Sequence, residues 1–139
     1  MPVRLTVAEL ASLEVDHSPP KKRKPYKSPR REEADLLRQA LAWLKLKGLF
    51  AWRANAGGGL RRGRGGRTVP VSGNPAGTPD VLCVLPPSGR LCGIEIKSRT
   101  GTSRPSQEAW ARRATAAGAL CLTIRSLDEL IVALAGEQS

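Results

Sequence analysis

The sequence predicts an α/β fold, a mixed central sheet flanked by helices, in the order helix, strands, helix, strand, helix. Three observations carry that expectation. Residues 30–47 place apolar side chains at helical spacing. Two short apolar runs, 81–85 and 91–96, flank a Pro-Pro-Ser-Gly break and read as a β-hairpin. A second helical pattern near 105–118 then leads into the aliphatic run 119–124.

With 139 residues the chain has room for one compact domain and a tail. Its hydrophobic fraction of 40% supports a core, which must be aliphatic because only one Phe and one Tyr are present. A net charge of +11 and a pI near 10.6 indicate a polyanionic partner, most simply nucleic acid. A soluble basic protein without such a partner is the plainer alternative. Cys83, Cys92 and Cys121 form no CxxC pair, and the lone His17 argues against zinc. Buried free thiols in a reducing compartment are expected. No run approaches membrane-spanning length and no signal peptide is visible, so an intracellular protein with no membrane partner is expected.

Residues 1–29 read as a flexible basic arm. Its run Lys21, Lys22, Arg23 and Lys24 resembles a nuclear localisation signal but equally suits a tail that grips phosphates. Helix 1 should begin with Ser28 as cap and Pro29 in the first turn, and end near Lys47 with Gly48 as the stop. Leu36, Leu37, Ala40, Leu41 and Leu44 form its buried stripe. Winding back at about 100° per residue puts Glu33 near the middle of that stripe, Glu32 at its edge and Asp35 well off it. A carboxylate aimed at the core invites a functional reading, although one so close to a helix start can also reach solvent.

Residues 49–54 read as a strand. The following NAGGGLRRGRGGR resembles a fragment of an RGG-type segment: its glycines should prevent regular structure, and Arg61, Arg62, Arg64 and Arg67 favour phosphate. Residues 68–71 form a short strand, and SGNPAGTP turns the chain into the hairpin. On the second helix Gln107, Trp110, Ala111, Ala114 and Gly118 share a face, so Gln107 points inward or towards the hairpin. The run 119–124 reads as a buried strand. Residues 127–134 form an amphipathic helix capped by Ser126, and 136–139 a C-terminal tail.

The hairpin carries the chemistry. With its loop at 86–89, paired positions sum to 175, so Asp80 sits opposite Glu95 and Cys83 opposite Cys92. Strand alternation puts Lys97 on the face of Glu95. Val81, Cys83, Leu85, Cys92, Ile94 and Ile96 occupy the other face, which suits a core. Carboxylates at Asp80 and Glu95, with the backbone carbonyl of Ile96, can chelate a hard divalent cation such as Mg²⁺ or Mn²⁺. Lys97 could hold or deprotonate an attacking water or neutralise charge on a phosphate. Glu33 would add an outer ligand or bind a second ion, and Gln107 would hydrogen-bond the water or a carboxylate. On spacing alone, an exposed strand ladder beside a turn aspartate is the plainer alternative.

These residues resemble the PD…(D/E)xK nuclease pattern, as Pro79-Asp80 followed by Glu95-Ile96-Lys97. The flanking LKLKG, FAWRANAGG, GTPDVLCVLPPSGRLCGIEIKS and SRPSQEAWARRATAAGAL look like the VRR-NUC branch of that superfamily. The likeness covers roughly residues 31–134. It implies a restriction-endonuclease-like αβββαβ core over 30–135 and a Mg²⁺- or Mn²⁺-dependent DNA endonuclease. It further implies Asp80 and Glu95 as metal ligands, Lys97 as the catalytic lysine, Glu33 as the helix-1 acid and Gln107 as the glutamine after the hairpin. Small stand-alone members look like phage or prophage homodimers, some acting on branched DNA, which would place the chain in a bacterial cytoplasm. Its long Arg/Gly loop and basic arm depart from the family pattern.

The expected function is therefore a structure-specific endonuclease for branched, flap or four-way-junction DNA, working as a homodimer. Arg53, Asn55, Arg61, Arg62, Arg64, Arg67 and the residues from Lys21 to Lys24 would contact backbone phosphate. Two alternatives are a non-catalytic basic nucleic-acid-binding protein using the Arg/Gly loop and arm, and an accessory phage protein that binds nucleic acid during packaging.

Overall fold

The computed structural model describes residues 25–54, 59–71 and 73–137. The expected arm residues Lys21, Lys22, Arg23 and Lys24, together with Asn55, lie outside them. Helix α1 (Pro29–Leu46) starts where Pro29 sets the first turn. Ser28 is its N-cap residue, but contrary to expectation its side chain makes no capping bond. Instead its carbonyl accepts from the Arg31 and Glu32 amides, at 2.9 and 3.0 Å. The helix ends as expected: Lys47 is the C-cap and Gly48 takes φ +73°, a left-handed geometry that favours glycine.

The strands follow as β1 (Phe50–Arg53), β2 (Gly59–Arg62), β3 (Thr68–Val71), β4 (Val81–Leu85) and β5 (Arg90–Ile96). Helix α2 (Pro105–Ala116), strand β6 (Leu120–Ile124) and helix α3 (Leu127–Ala135) complete the chain. The main sheet is four-stranded and mixed, in the order β1-β4-β5-β6. β4 pairs antiparallel with β1 and β5, while β5 and β6 are parallel. The hairpin register is the expected one, from Val81 opposite Ile94 through Cys83 opposite Cys92 to Leu85 opposite Arg90.

Two expectations are corrected. From Gly59 onward the glycine-rich stretch is not irregular: β2 and β3 pair antiparallel across the 3-10 turn Arg64–Gly66, forming a separate two-stranded ribbon. Gly65 and Gly66 take φ +79° and +75°, so glycines that weaken a strand serve here to close its turn. Strand β6 is not fully buried. It lies at a sheet edge, half-buried along Leu120–Leu122 with Thr123 exposed, because α2 and α3 cover it incompletely.

One face of the main sheet holds the core. Leu36, Ala40 and Leu44 of α1 and Leu130 and Leu134 of α3 pack on Val81, Cys83, Leu85, Cys92, Ile94 and Ile96. Burial of such side chains is worth about 1.5–3 kcal/mol each and dominates the stability. Ser126 caps α3 through Oγ, which accepts from the Glu129 amide. Helix α2 lies on the opposite face over β5 and β6, where Gly93 admits it: a Cβ there would come 2.7 Å from Pro79 and 3.0 Å from Trp110. Among the described residues no helix is long and apolar enough to cross a membrane.

Candidate functional site

Asp80 stands at the entrance to β4. Its carbonyl accepts from the Ala54 amide at 2.8 Å, and its Oδ2 accepts from the Ile96 amide at 2.9 Å. The turn before it is fastened to the residue after β1 and within itself. Asn74 donates to the Ala54 carbonyl, and Thr78 donates through Oγ1 to the Pro75 carbonyl at 2.6 Å. Gly77, at φ +83°, lies so close to α2 that a Cβ would come 2.0 Å from the Ser106 carbonyl oxygen. The turn thus sets the position of Asp80 and the N-terminus of α2 together.

Glu95, Lys97 and Gln107 form a closed cluster on the α2 face. Lys97 Nζ lies 3.1 Å from Glu95 Oε1 and donates to Gln107 Oε1 at 3.1 Å. Gln107 Nε2 donates to Glu95 Oε1, while its Oε1 also accepts from the Arg104 amide at 2.9 Å, closing the first turn of α2. Glu95 and Lys97 are both buried. Burial, and then the negative charge of Asp80, push the Glu95 carboxyl up to about 7, against the opposing pull of Lys97.

From the other side, Glu33 Oε1 accepts from the Ser98 amide at 3.0 Å. A groove of about 600 Å³ opens beside Asp80 and Glu33, and Arg30, Arg31, Arg38 and Arg53 line it. Of these the sequence pattern singles out only Arg53. Arg30 and Arg31 escape a sequence reading because they look like ordinary solvated residues of a helix start. Arg38 pairs with Asp35, which also holds Lys27 at 2.8 Å. Glu95 and Gln107 line a separate cavity of about 170 Å³ against Trp110.

The structure therefore brings together Asp80, Glu95, Lys97 and Gln107, with Glu33 at the margin. Arg62, Arg64 and Arg67 are exposed on or beside the ribbon, and Arg61 lies within β2. Among the described residues no three His, Cys, Asp or Glu side chains gather closely enough to hold an ion. The donors at hand nevertheless suit a hard cation. Two adjacent carboxylates offer oxygen, and among the described residues the buried Glu95 Oε2 has no hydrogen-bond partner.

No family model matches the chain, and neither a curated protein nor a solved structure matches it.

Proposed function

We propose that this protein is a Mg²⁺- or Mn²⁺-dependent DNA endonuclease of the VRR-NUC type, active as a homodimer on branched or flapped DNA. The observation that carries the reading is the Asp80–Glu95–Lys97–Gln107 cluster, with Glu95 and Lys97 buried, set beside a groove lined with arginines. The main-sheet order α1, β1, β4, β5, α2, β6 supports the restriction-endonuclease-like αβββαβ core that such an enzyme requires.

In this reading Asp80, Glu95 and the Ile96 carbonyl hold the ion. When bound, the ion supplies Lewis acidity and makes hydroxide available at neutral pH. Lys97 orients the attacking water or offsets charge on the phosphate, and Gln107 fixes Lys97 and Glu95 relative to each other. The groove arginines grip the backbone without reading sequence.

A second reading has an observation of its own. Lys97 is bonded to both Glu95 and Gln107, as in a purely structural ion pair, which suits a non-catalytic nucleic-acid-binding protein. Incubation with labelled duplex, flap and four-way junction, with and without Mg²⁺ or Mn²⁺, separates the two. Cleavage should require metal and fall by about 100-fold or more in Asp80→Asn, Glu95→Gln and Lys97→Ala, with binding retained. Cleavage that survives Asp80→Asn and Lys97→Ala together would overturn the assignment.

A further inference from the structure

Phe50 and Trp52 are two residues apart on β1, an edge strand, so they stand on one face of the sheet. Their ring centroids are 5.1 Å apart with planes tilted by 42°. Phe50 is 72% and Trp52 39% exposed, unusual for large aromatics outside an interface. The register identifies the face. Phe50 lies opposite Val84 and Trp52 opposite Leu82, which in turn lies opposite Gly93. Directly paired residues share a face, so the aromatic pair stands on the same side as Asp80 and Glu95. Helix α2 covers the β5–β6 half of that side, while on the β1–β4 half Phe50 and Trp52 are exposed and Leu82 and Val84 are half-buried.

Two strand spacings of about 4.8 Å and two residues of about 3.3 Å put Trp52 about 12 Å from Glu95 across the sheet. At about 3.4 Å per stacked nucleotide, that is a reach of three to four nucleotides. Charge selects the occupant. Arg53 follows the pair and lines the groove beside Asp80, Lys45 and Lys47 precede it, and the whole chain carries +11. An edge this basic opposes a second copy of itself and favours a polyanion with flat apolar groups.

We propose that Phe50 and Trp52 form a stacking platform for unpaired bases of a DNA strand running to the Asp80–Glu95 cluster. The substrate class is accordingly DNA with single-stranded nucleotides next to the duplex, as in a flap or an opened branch. Within a duplex the bases are already stacked on one another and cannot lie on the sheet. The inference rests on the nuclease reading for the role of the cluster, but the platform's test measures binding alone.

The test uses the full chain without added metal. Affinities are measured for an oligodeoxythymidylate, a flapped duplex and a blunt duplex, using the parent, Phe50→Ala, Trp52→Ala and the conservative Trp52→Phe. Each alanine variant should bind the oligodeoxythymidylate and the flap about 5-fold to 100-fold more weakly. Blunt-duplex binding should stay unchanged, and Trp52→Phe should recover most of the affinity. Tryptophan fluorescence of the parent should be quenched by the oligodeoxythymidylate, and that quenching should shrink in Trp52→Phe. Equal weakening on all three DNAs, or none, would overturn the platform. So would a parent dimer that becomes monomeric in Trp52→Ala by sedimentation, since a second copy would then cover this face. If binding behaves as stated while Asp80→Asn leaves cleavage intact, the nuclease site falls and the platform stands.

Discussion

The carboxylate of Glu33 accepts a hydrogen bond from the backbone amide of Ser98 at 3.0 Å, tying the first turns of α1 to the residue after Lys97. Ser98 is buried, so its amide has no water to fall back on. Glu33→Ala should therefore cost about 1–3 kcal/mol in denaturant unfolding. Glu33→Gln keeps an acceptor and should cost much less. If the charge also serves catalysis, Glu33→Gln should still lower the cleavage rate or raise the metal requirement, while Glu32→Gln does neither. Equal effects of the two glutamine substitutions on cleavage would show that the charge at Glu33 has no special role.

Helix phasing makes Glu33 legible as an inward acid, and hairpin register makes Asp80 and Glu95 legible as neighbours, because both periodicities are rigid geometric rules. What the acid touches is not legible. Ser98 is 65 residues away in sequence, and only the packing of α1 on the sheet brings it near. Phase alone places Gln107, whereas its double engagement with Glu95 and Lys97 depends on how closely α2 approaches Gly93. Strand β3 is legible in the sequence, but its partner β2 escapes a sequence reading because glycine has low strand propensity, and here antiparallel pairing and the positive-φ turn outweigh that preference. Arg30 and Arg31 stay hidden because nothing local marks a helix-start arginine as facing a groove.

The turn at Gly77 offers a sharper test of how the site is held. Alanine at Gly89, where φ is +76° and nothing lies within 4 Å of the added Cβ, should cost only the left-handed penalty of about 1–2 kcal/mol. At Gly77 the same penalty is joined by a Cβ placed 2.0 Å from the Ser106 carbonyl oxygen. Gly77→Ala should therefore destabilise distinctly more than Gly89→Ala. It should also reduce cleavage beyond its effect on stability, because the turn carries Asp80 and abuts the helix of Gln107. Similar unfolding midpoints for the two variants would show that the turn moves away freely.

Glu95 makes stability depend on pH. Its carboxyl rises from an ordinary 4.5 to about 7 in the folded chain, first through burial and then through the charge of Asp80. Between these values the folded state holds the proton more tightly than the unfolded state. The contribution is thus complete below about pH 4.5 and lost as pH rises through about 7. Thermal unfolding in a chelator should show the parent losing stability over this window, with a flatter profile in Glu95→Gln. Asp80→Asn removes the second cause and should flatten it in part. If the carboxylates take a divalent ion, Mn²⁺ should raise the melting temperature more at pH 8 than at pH 5. A stabilisation independent of pH and of Glu95 would place the ion elsewhere.

The thiols should report packing rather than function. Burial raises Cys83, and it pushes Cys92 up to about 12 with further contributions from the neighbouring thiols. Cys121 is half-buried, and its Sγ donates to the Ala111 carbonyl at 3.7 Å. A neutral alkylating reagent should accordingly modify Cys121 first in the native protein, and Cys83 and Cys92 together only as the chain unfolds. Mass spectrometry of the labelled peptides distinguishes these orders.

The two arginine sets should separate in their salt dependence. Each phosphate deprived of its arginine should lower the slope of log affinity against log salt by about 0.9 on duplex DNA. Arg30 and Arg31 face the groove beside Asp80, so their alanine variants should each lower the slope and also slow cleavage at saturating DNA by displacing the scissile strand. Arg38, held by Asp35, should contribute less on both counts. Arg62, Arg64 and Arg67 belong to a ribbon separate from the main sheet. Replacing all three should lower the slope by about two to three and weaken binding, yet leave the cleavage rate of saturated complex unchanged. If the ribbon variant instead slows the saturated complex as much as the groove variants do, the ribbon also orders the strand at the cluster.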